Sequence, residues 1–405
     1  VLKKIVMSLA GAILIMTGCS PSIGNSDEEV VQNKDETKQQ SNSIVSSQQL
    51  SEENYRTVLP YRPSASRGVI TNQMGNRVDI DEMETGLRRL SKEYFEPEQY
   101  FYEEGQYLTS DMLYNWLDTY PTDKQLKNLE ERVENNKDQF SEADLNARKQ
   151  ALNPPLDEEN ATKEDYEENP KYLTHILEQN YLKKNDDNQM ELVGASIGIA
   201  LKSVYTYDVE GNTYHREISK SEMMKKGKEI AQTVLERVRN IEELSDVPIM
   251  IALYREEDQS SPVPGNFVAI TDAEAGKASI GEWETVHEEN VLFPSDEGEE
   301  KYHDTHQLVQ NFGTRVEEYF PNYVGVIGEG FYMNEELQKL TLEIPLEFYG
   351  KGEVTGFTQY AYGLVQEMFQ DYYELEVKIK SNEKMESLIY REAGDDEATV
   401  HIFDS

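Results

Sequence analysis

Apolar residues recur at steps of three or four in some stretches of the chain and at steps of two in others. Met83, Leu87, Leu90 and Tyr94 mark one face of a helix over residues 80–94. A second, short helix carries Met112, Leu113, Trp116 and Leu117, with Asp111 placed to cap it. "YLTHILEQNYL", from Tyr172, has the spacing of a short amphipathic helix. Ser221 opens a long one whose apolar side holds Met224, Ile230, Val234, Leu235 and Val238. "GFTQYAYGLVQEMFQDYY" predicts another. Between them, "LVGASIGIALKSVYTYDV", "VPIMIALYR", "LQKLTLEIPLEFYG", "ELEVKIK", "SLIY" and "ATVHIF" are apolar or alternating and predict strands.

Strand–helix–strand thus occurs twice, well separated along the chain. The expected fold class is α+β, with two related strand–helix–strand units and a helix-rich N-terminal portion. The first lobe is expected over residues 54–260 and the second over 261–405. Residues 121–170 are highly charged and end in "NPPLDEENATKEDYEENP". They predict one exposed helix followed by a mobile acidic loop, inserted in the first lobe.

The N-terminal pattern differs from both. Lys3 and Lys4 precede an apolar run over residues 5–18. As a helix that run spans about 21 Å, short of the roughly 30 Å hydrocarbon of a bilayer. It suits the h-region of a signal peptide, expected over residues 1–18. Residues 20–53 are rich in Ser, Gln, Asn and acids and hold no aromatic residue. With Cys19 they form an expected disordered tether, 19–53, with a reach of roughly 30 Å.

Composition narrows the function classes. The chain of 405 residues carries 78 acidic and 39 basic side chains, a net charge of −39. Such a surface repels nucleic acid and anionic head groups, so no nucleic-acid partner is expected. The single cysteine, Cys19, allows no internal disulfide. It closes Met16-Thr17-Gly18-Cys19, which resembles a bacterial lipobox. The residue types suit the chemistry. A thiol at the membrane surface accepts the lipid, and the small Gly18 lets a peptidase cut between Gly18 and Cys19. The expected partners are the membrane, through a diacylglyceryl anchor on Cys19, and the lipoprotein-processing enzymes. Two acyl chains anchor stably where one is marginal. The mature chain is then expected on the extracytoplasmic face of the cell membrane.

Catalytic motifs are few. Gly194-Ala195-Ser196-Ile197-Gly198 matches the G-x-S-x-G nucleophile elbow, but that motif needs a helix after the serine and here strand continues. The alternative is a strand with glycines at a bulge or a close backbone contact. His303 and His306 form H-x-x-H and could share a helix face, yet a zinc site needs a further ligand and H-E-x-x-H is absent. The expectation is surface histidines and no metal. Gly325, Gly328 and Gly330 lack the Lys-Ser/Thr of a phosphate loop and predict a turn. No cofactor is expected and no catalytic residue is assigned. The tyrosines, 25 in number, suit sheet packing or a sugar- or peptide-binding face.

The segments "NYRTVLPY", "GLRRLSKEYF", "YFYEEGQYL", "PKYLTHILEQ", "GIALKSVYTY", "VPIMIALY", "PGNF" and "FYGKGEVTGFTQY" occur in this order. Together they resemble the CamS-type sex pheromone lipoproteins of low-GC Gram-positive bacteria. The resemblance implies that a short peptide before the lipobox cysteine acts as a secreted pheromone. Here that peptide is Ala12, Ile13, Leu14, Ile15, Met16, Thr17 and Gly18. Its Thr-Gly end departs from the small Ala or Ser ending of the family pattern. The partner that senses the peptide is not implied, and the resemblance brings no catalytic residue. Two other classes stay open: a solute-binding lipoprotein of a transporter, and a surface hydrolase using Ser196 or an acidic pair.

Overall fold

A computed structural model describes residues 50–51, 54–135, 139, 141–320, 323–348, 350–381 and 384–403, and the backbone of two earlier strands. The signal segment, Cys19 and the candidate peptide over residues 12–18 lie outside the described residues. The earlier strands are β1 (Glu28–Asn33) and β2 (Asn42–Ser46), followed by β3 (Arg56–Leu59). β1 and β2 are antiparallel, β2 pairs with β3, and β1 also runs parallel to a later strand at Gln32 and Asn33. The stretch expected as a disordered tether therefore carries two paired strands. Their apolar residues, Val30, Val31, Ile44 and Val45, are sparse, so composition hides them.

Next come α1 (Arg67–Gln73), α2 (Arg77–Ser91), β4 (Phe101–Glu104) and α3 (Ser110–Leu117). The cap of α3 is Thr109, whose hydroxyl accepts from the Met112 amide, so Asp111 lies in the first turn. The acidic insert holds three helices rather than one: α4 (Asp123–Asn135), α5 (Glu142–Arg148) and α6 (Lys163–Glu168). Ser141 and Thr162 open the last two with complete capping boxes, which is why such short, charged segments are helical.

The first sheet continues through β5 (Leu173–Lys184) and β6 (Gln189–Leu201). The expected helix at Tyr172 is thus a strand. Its periodicity misleads because polar Thr174, His175, Gln179 and Asn180 are buried along with the apolar residues. A hairpin of β7 (Val204–Val209) and β8 (Asn212–Glu217) precedes α7 (Lys220–Val238). Ser219, one residue before α7, caps it, and Met223 is the buried methionine, with Met224 only partly covered. β9 (Ile249–Arg255), β10 (Asn266–Ala273) and β11 (Glu284–Thr285) complete the sheet, in the order β1-β2-β3-β4-β5-β6-β9-β10-β11.

The second sheet runs β12 (Glu288–Phe293), β13 (Ile327–Met333), β14 (Glu336–Pro345), β15 (Glu374–Ser381), β16 (Lys384–Arg391) and β17 (Thr399–Ile402), in sequence order. α8 (Asp296–Lys301) and α9 (His303–Glu317) lie between its first two strands, and α10 (Lys351–Met368) crosses between β14 and β15. Pairing passes from one sheet to the other between Thr285 and Glu288. The division expected after residue 260 therefore falls too early: β10 and β11 belong to the first sheet.

The two lobes share a topology. In each, antiparallel strands lead to a parallel pair joined by one helix, β6-α7-β9 and β14-α10-β15. β4-β5-β6-β9-β10-β11 has the same order and orientations as β12-β13-β14-β15-β16-β17. Helices stand between the first two strands in both cases. The fold is α+β, and its two units are related by this order.

The central strands of the first sheet are covered on both faces. Ile197, Ile199, Leu201, Ile251 and Leu253 face α7, while Ala200, Met250, Ala252 and Tyr254 meet α2. A third core fills the second lobe around Phe293, Phe312, Leu342, Phe357 and Val377. Among the described residues no helix is long and apolar enough to cross a membrane.

Candidate functional site

Ser196 lies in the middle of β6, fully buried, with its hydroxyl 3.3 Å from the Tyr181 hydroxyl. Strand continues on both sides, so no elbow presents its oxygen. The two glycines have a packing role. A Cβ on Gly194 would lie 2.1 Å from the Phe95 ring, and one on Gly198 would press on Met83 and Leu87 at 3.1 Å. Gly194, Ser196 and Gly198 are the small residues that let α2 and its following turn sit against the sheet.

His303 and His306 separate on α9. His303 is exposed and His306 is buried, so they do not form a chelating pair. Among the described residues no group of three or more His, Cys, Asp or Glu could hold a metal ion. Gly328 and Gly330 are within β13 rather than in a turn, under the Phe293 side chain.

The structure gathers buried polar groups that spacing did not single out. Past the end of β9, Glu256 accepts from the Thr174 hydroxyl at 3.0 Å and lies 3.7 Å from the Lys202 ammonium. Burial pushes Glu256 up to about 7, against the pull of Lys202. Nearby, Asp79 of α2 accepts from the Tyr254 hydroxyl at 2.6 Å and the Gly265 amide at 2.7 Å. These bonds tie α2 to the ends of β9 and β10. On β5, the Glu178 carboxylate takes backbone N–H bonds from Gln106, Tyr107 and Leu108. Burial raises its pKa, and those bonds oppose the rise. His175 is buried, its Nδ1 has no partner, and burial pushes it down to about 3. A glutamate held by three amides of one loop and a buried histidine read in sequence as ordinary polar positions.

An open site lies in the second lobe. A groove of about 780 Å³ lies between the start of α9 and the β13–β14 hairpin. Tyr302 and Tyr332 stack in its wall, with ring centroids 3.6 Å apart. The Tyr332 hydroxyl donates to Thr305 at 2.9 Å, and Tyr302 donates to Glu289 at 2.9 Å. Tyr372 projects at the side, 62% exposed, edge-on to Tyr373 with centroids 4.9 Å apart. Asp304, Glu335, Glu336 and Gln338 supply polar atoms, and Leu337 is buried beneath them. Lys301 is held by Glu289 and Glu297. Of the sequence candidates only His303 reaches this groove.

Comparison with known proteins decides the family. The model described as CamS, the CamS sex pheromone cAM373 precursor, matches residues 61–397. The chain belongs to the CamS family. Two solved structures of sex pheromone precursors share the fold. One is from Lactobacillus salivarius subsp. salivarius UCC118, 27% identical, with a TM-score of 0.77 over 90% of this chain and 99% of that one. The other is the C-terminal domain of the staph-cAM373 precursor of Staphylococcus aureus, 28% identical, with a TM-score of 0.68 over 83% of this chain and 100% of that one. No curated protein matches the chain. The CamS match covers both lobes and so includes the buried polar groups and the groove.

Proposed function

We propose that the chain is a lipid-anchored surface lipoprotein whose signal segment doubles as a peptide pheromone precursor. The observation that carries this reading is the position of the sole cysteine. Cys19 follows Gly18 at the end of an apolar run, in a chain whose residues 61–397 match the family of pheromone precursors. The Cys19 sulfur takes a diacylglyceryl group, and a peptidase then cuts the Gly18–Cys19 bond. Cys19 becomes the lipid-bearing N-terminus of the acidic body on the outer face of the membrane. Further trimming of the released piece yields Ala-Ile-Leu-Ile-Met-Thr-Gly, residues 12–18. No catalytic step is assigned to the body.

Two measurements test this. Cys19→Ala should abolish lipid labelling and leave the precursor uncut, while mass spectrometry of wild-type culture medium should find the heptapeptide or a shortened form. Full membrane retention and cleavage of Cys19→Ala would overturn the anchor. Absence of the peptide from cultures that process the precursor would overturn the pheromone.

A further inference from the structure

We propose that the groove between α9 and the β13–β14 hairpin is a binding site for an uncharged glycan. Its form sets the ligand class. The floor is β13, paired on both sides by β12 and β14, and the start of β14, where Glu336, Leu337 and Gln338 precede the pairing with β15 that begins at Lys339. The open edge beside the groove is these three residues of β14, too short a run to hold an extended peptide by main-chain pairing alone. Recognition falls to side chains. Tyr372 presents an exposed ring, locked edge-on by the buried Tyr373. A tyrosine face offers apolar area at low conformational cost and suits the C–H face of a sugar ring. Around it stand Asp304, Glu335 and Gln338, planar carboxylate and amide groups that accept from vicinal hydroxyls.

Charge and size point the same way. Lys301 is engaged by Glu289 and Glu297, so the carboxylates set the sign of the groove and repel phosphate-bearing polymers. About 780 Å³ of open space takes a ligand of several sugar units and lies inside the usual range for binding sites. The rim carries an unusual backbone. Asn334 and Glu335 both have left-handed φ, 53° and 67°. Asparagine tolerates this, but glutamate at the second position of such a turn is strained where glycine would not be. The strain accompanies the placing of a carboxylate at the mouth of the groove.

Titration of the full chain with chitotriose, cellotriose and maltotriose, followed by calorimetry and saturation-transfer NMR, tests the site. At least one trisaccharide should bind at millimolar concentration. Tyr372→Ala should weaken it roughly tenfold, and Tyr372→Phe should retain it. Tyr372 is exposed, so both variants should melt as the wild type does. Glu335→Gly should raise the Tm and weaken binding together, a combination that a purely structural turn does not give. The proposal is overturned if none of the three sugars binds, if binding survives Tyr372→Ala, or if Glu335→Gly raises the Tm with affinity unchanged. Salt-sensitive binding of an oligolysine peptide at Tyr372, in place of the sugars, would also overturn it.

Discussion

His175 and Glu256 are both buried, and burial moves them in opposite directions. His175 falls to about 3 in the folded chain, from about 6.5 unfolded. Its contribution to stability is present above pH 6.5 and is lost as the pH falls toward 3. Glu256 rises to about 7, from about 4.5 unfolded. Its contribution is present below pH 4.5 and is lost as the pH rises through 7. Between pH 4.5 and 6.5 the two slopes have opposite sign and cancel, each being about 1.4 kcal/mol per pH unit. Glu256→Gln keeps an acceptor for Thr174 and removes the second slope. Denaturant titrations should show this variant losing about 1–3 kcal/mol relative to wild type as the pH falls from 6.5 to 4.5. A constant difference over that window would refute the assignment. Neither residue was legible in sequence, because a histidine or glutamate is buried by partners far away in the chain. Ser196 shows the converse: its motif was visible, but only the α2 packing explains the flanking glycines.

At the scale of elements, local pattern located α2, α7 and α10, each with one face in a core, and most strands, which alternate or, as in β9, form a continuous apolar run. It misread β5 and the acidic insert. β5 is buried on both faces and holds polar residues, of which Thr174, Glu178 and Gln179 are bonded to distant segments, so it shows no alternation. The insert is charged, but Leu156 and Tyr166 enter the first-lobe core and Asn153 ties it in by hydrogen bonds. Asn153 is buried and makes four bonds, donating to the Leu117 and Leu173 carbonyls and accepting from the Tyr172 and Leu173 amides. It also forms a bridge with Thr119, just ahead of the insert, so Asn153 joins the segment before the insert to the first strand after it. Asn153→Ala leaves buried amides and carbonyls unpaired and should cost about 2–4 kcal/mol. Limited proteolysis should then cut first within residues 121–170. If the variant resists protease and denaturant as well as wild type does, the insert is held by other contacts. The groove in the second lobe was out of reach for a similar reason: Tyr302, Tyr332 and Tyr372 come from three separated segments, and only the assembled sheet brings them together.

For the whole molecule, the repeated strand order makes the joint between the lobes the decisive contact. Their main cores are separate, and the joint is largely polar. Arg89 of α2 reaches across to Glu288 of β12 at 3.0 Å while holding Glu82 at 2.7 Å. Its guanidinium lies 4.3 Å from the Phe331 ring centroid, and Asn290 donates to the Gly265 carbonyl. The Glu288 side chain is fully buried, so burial raises its pKa while Arg89 pulls the other way. Removing Arg89 leaves a buried carboxylate uncompensated, at a cost of about 3–5 kcal/mol near neutral pH. Since that cost comes from the charged form, Arg89→Met should lose its deficit as the pH falls below 4.5 and Glu288 takes up a proton in both states. Adding Glu288→Met to Arg89→Met should recover most of the loss at pH 7, because the unpaired charge is gone. Calorimetry should show one transition for the wild type and two for Arg89→Met at pH 7, as the lobes lose their coupling and melt on their own cores. A single, unshifted transition in Arg89→Met would mean that the lobes are held together by contacts other than this ion pair.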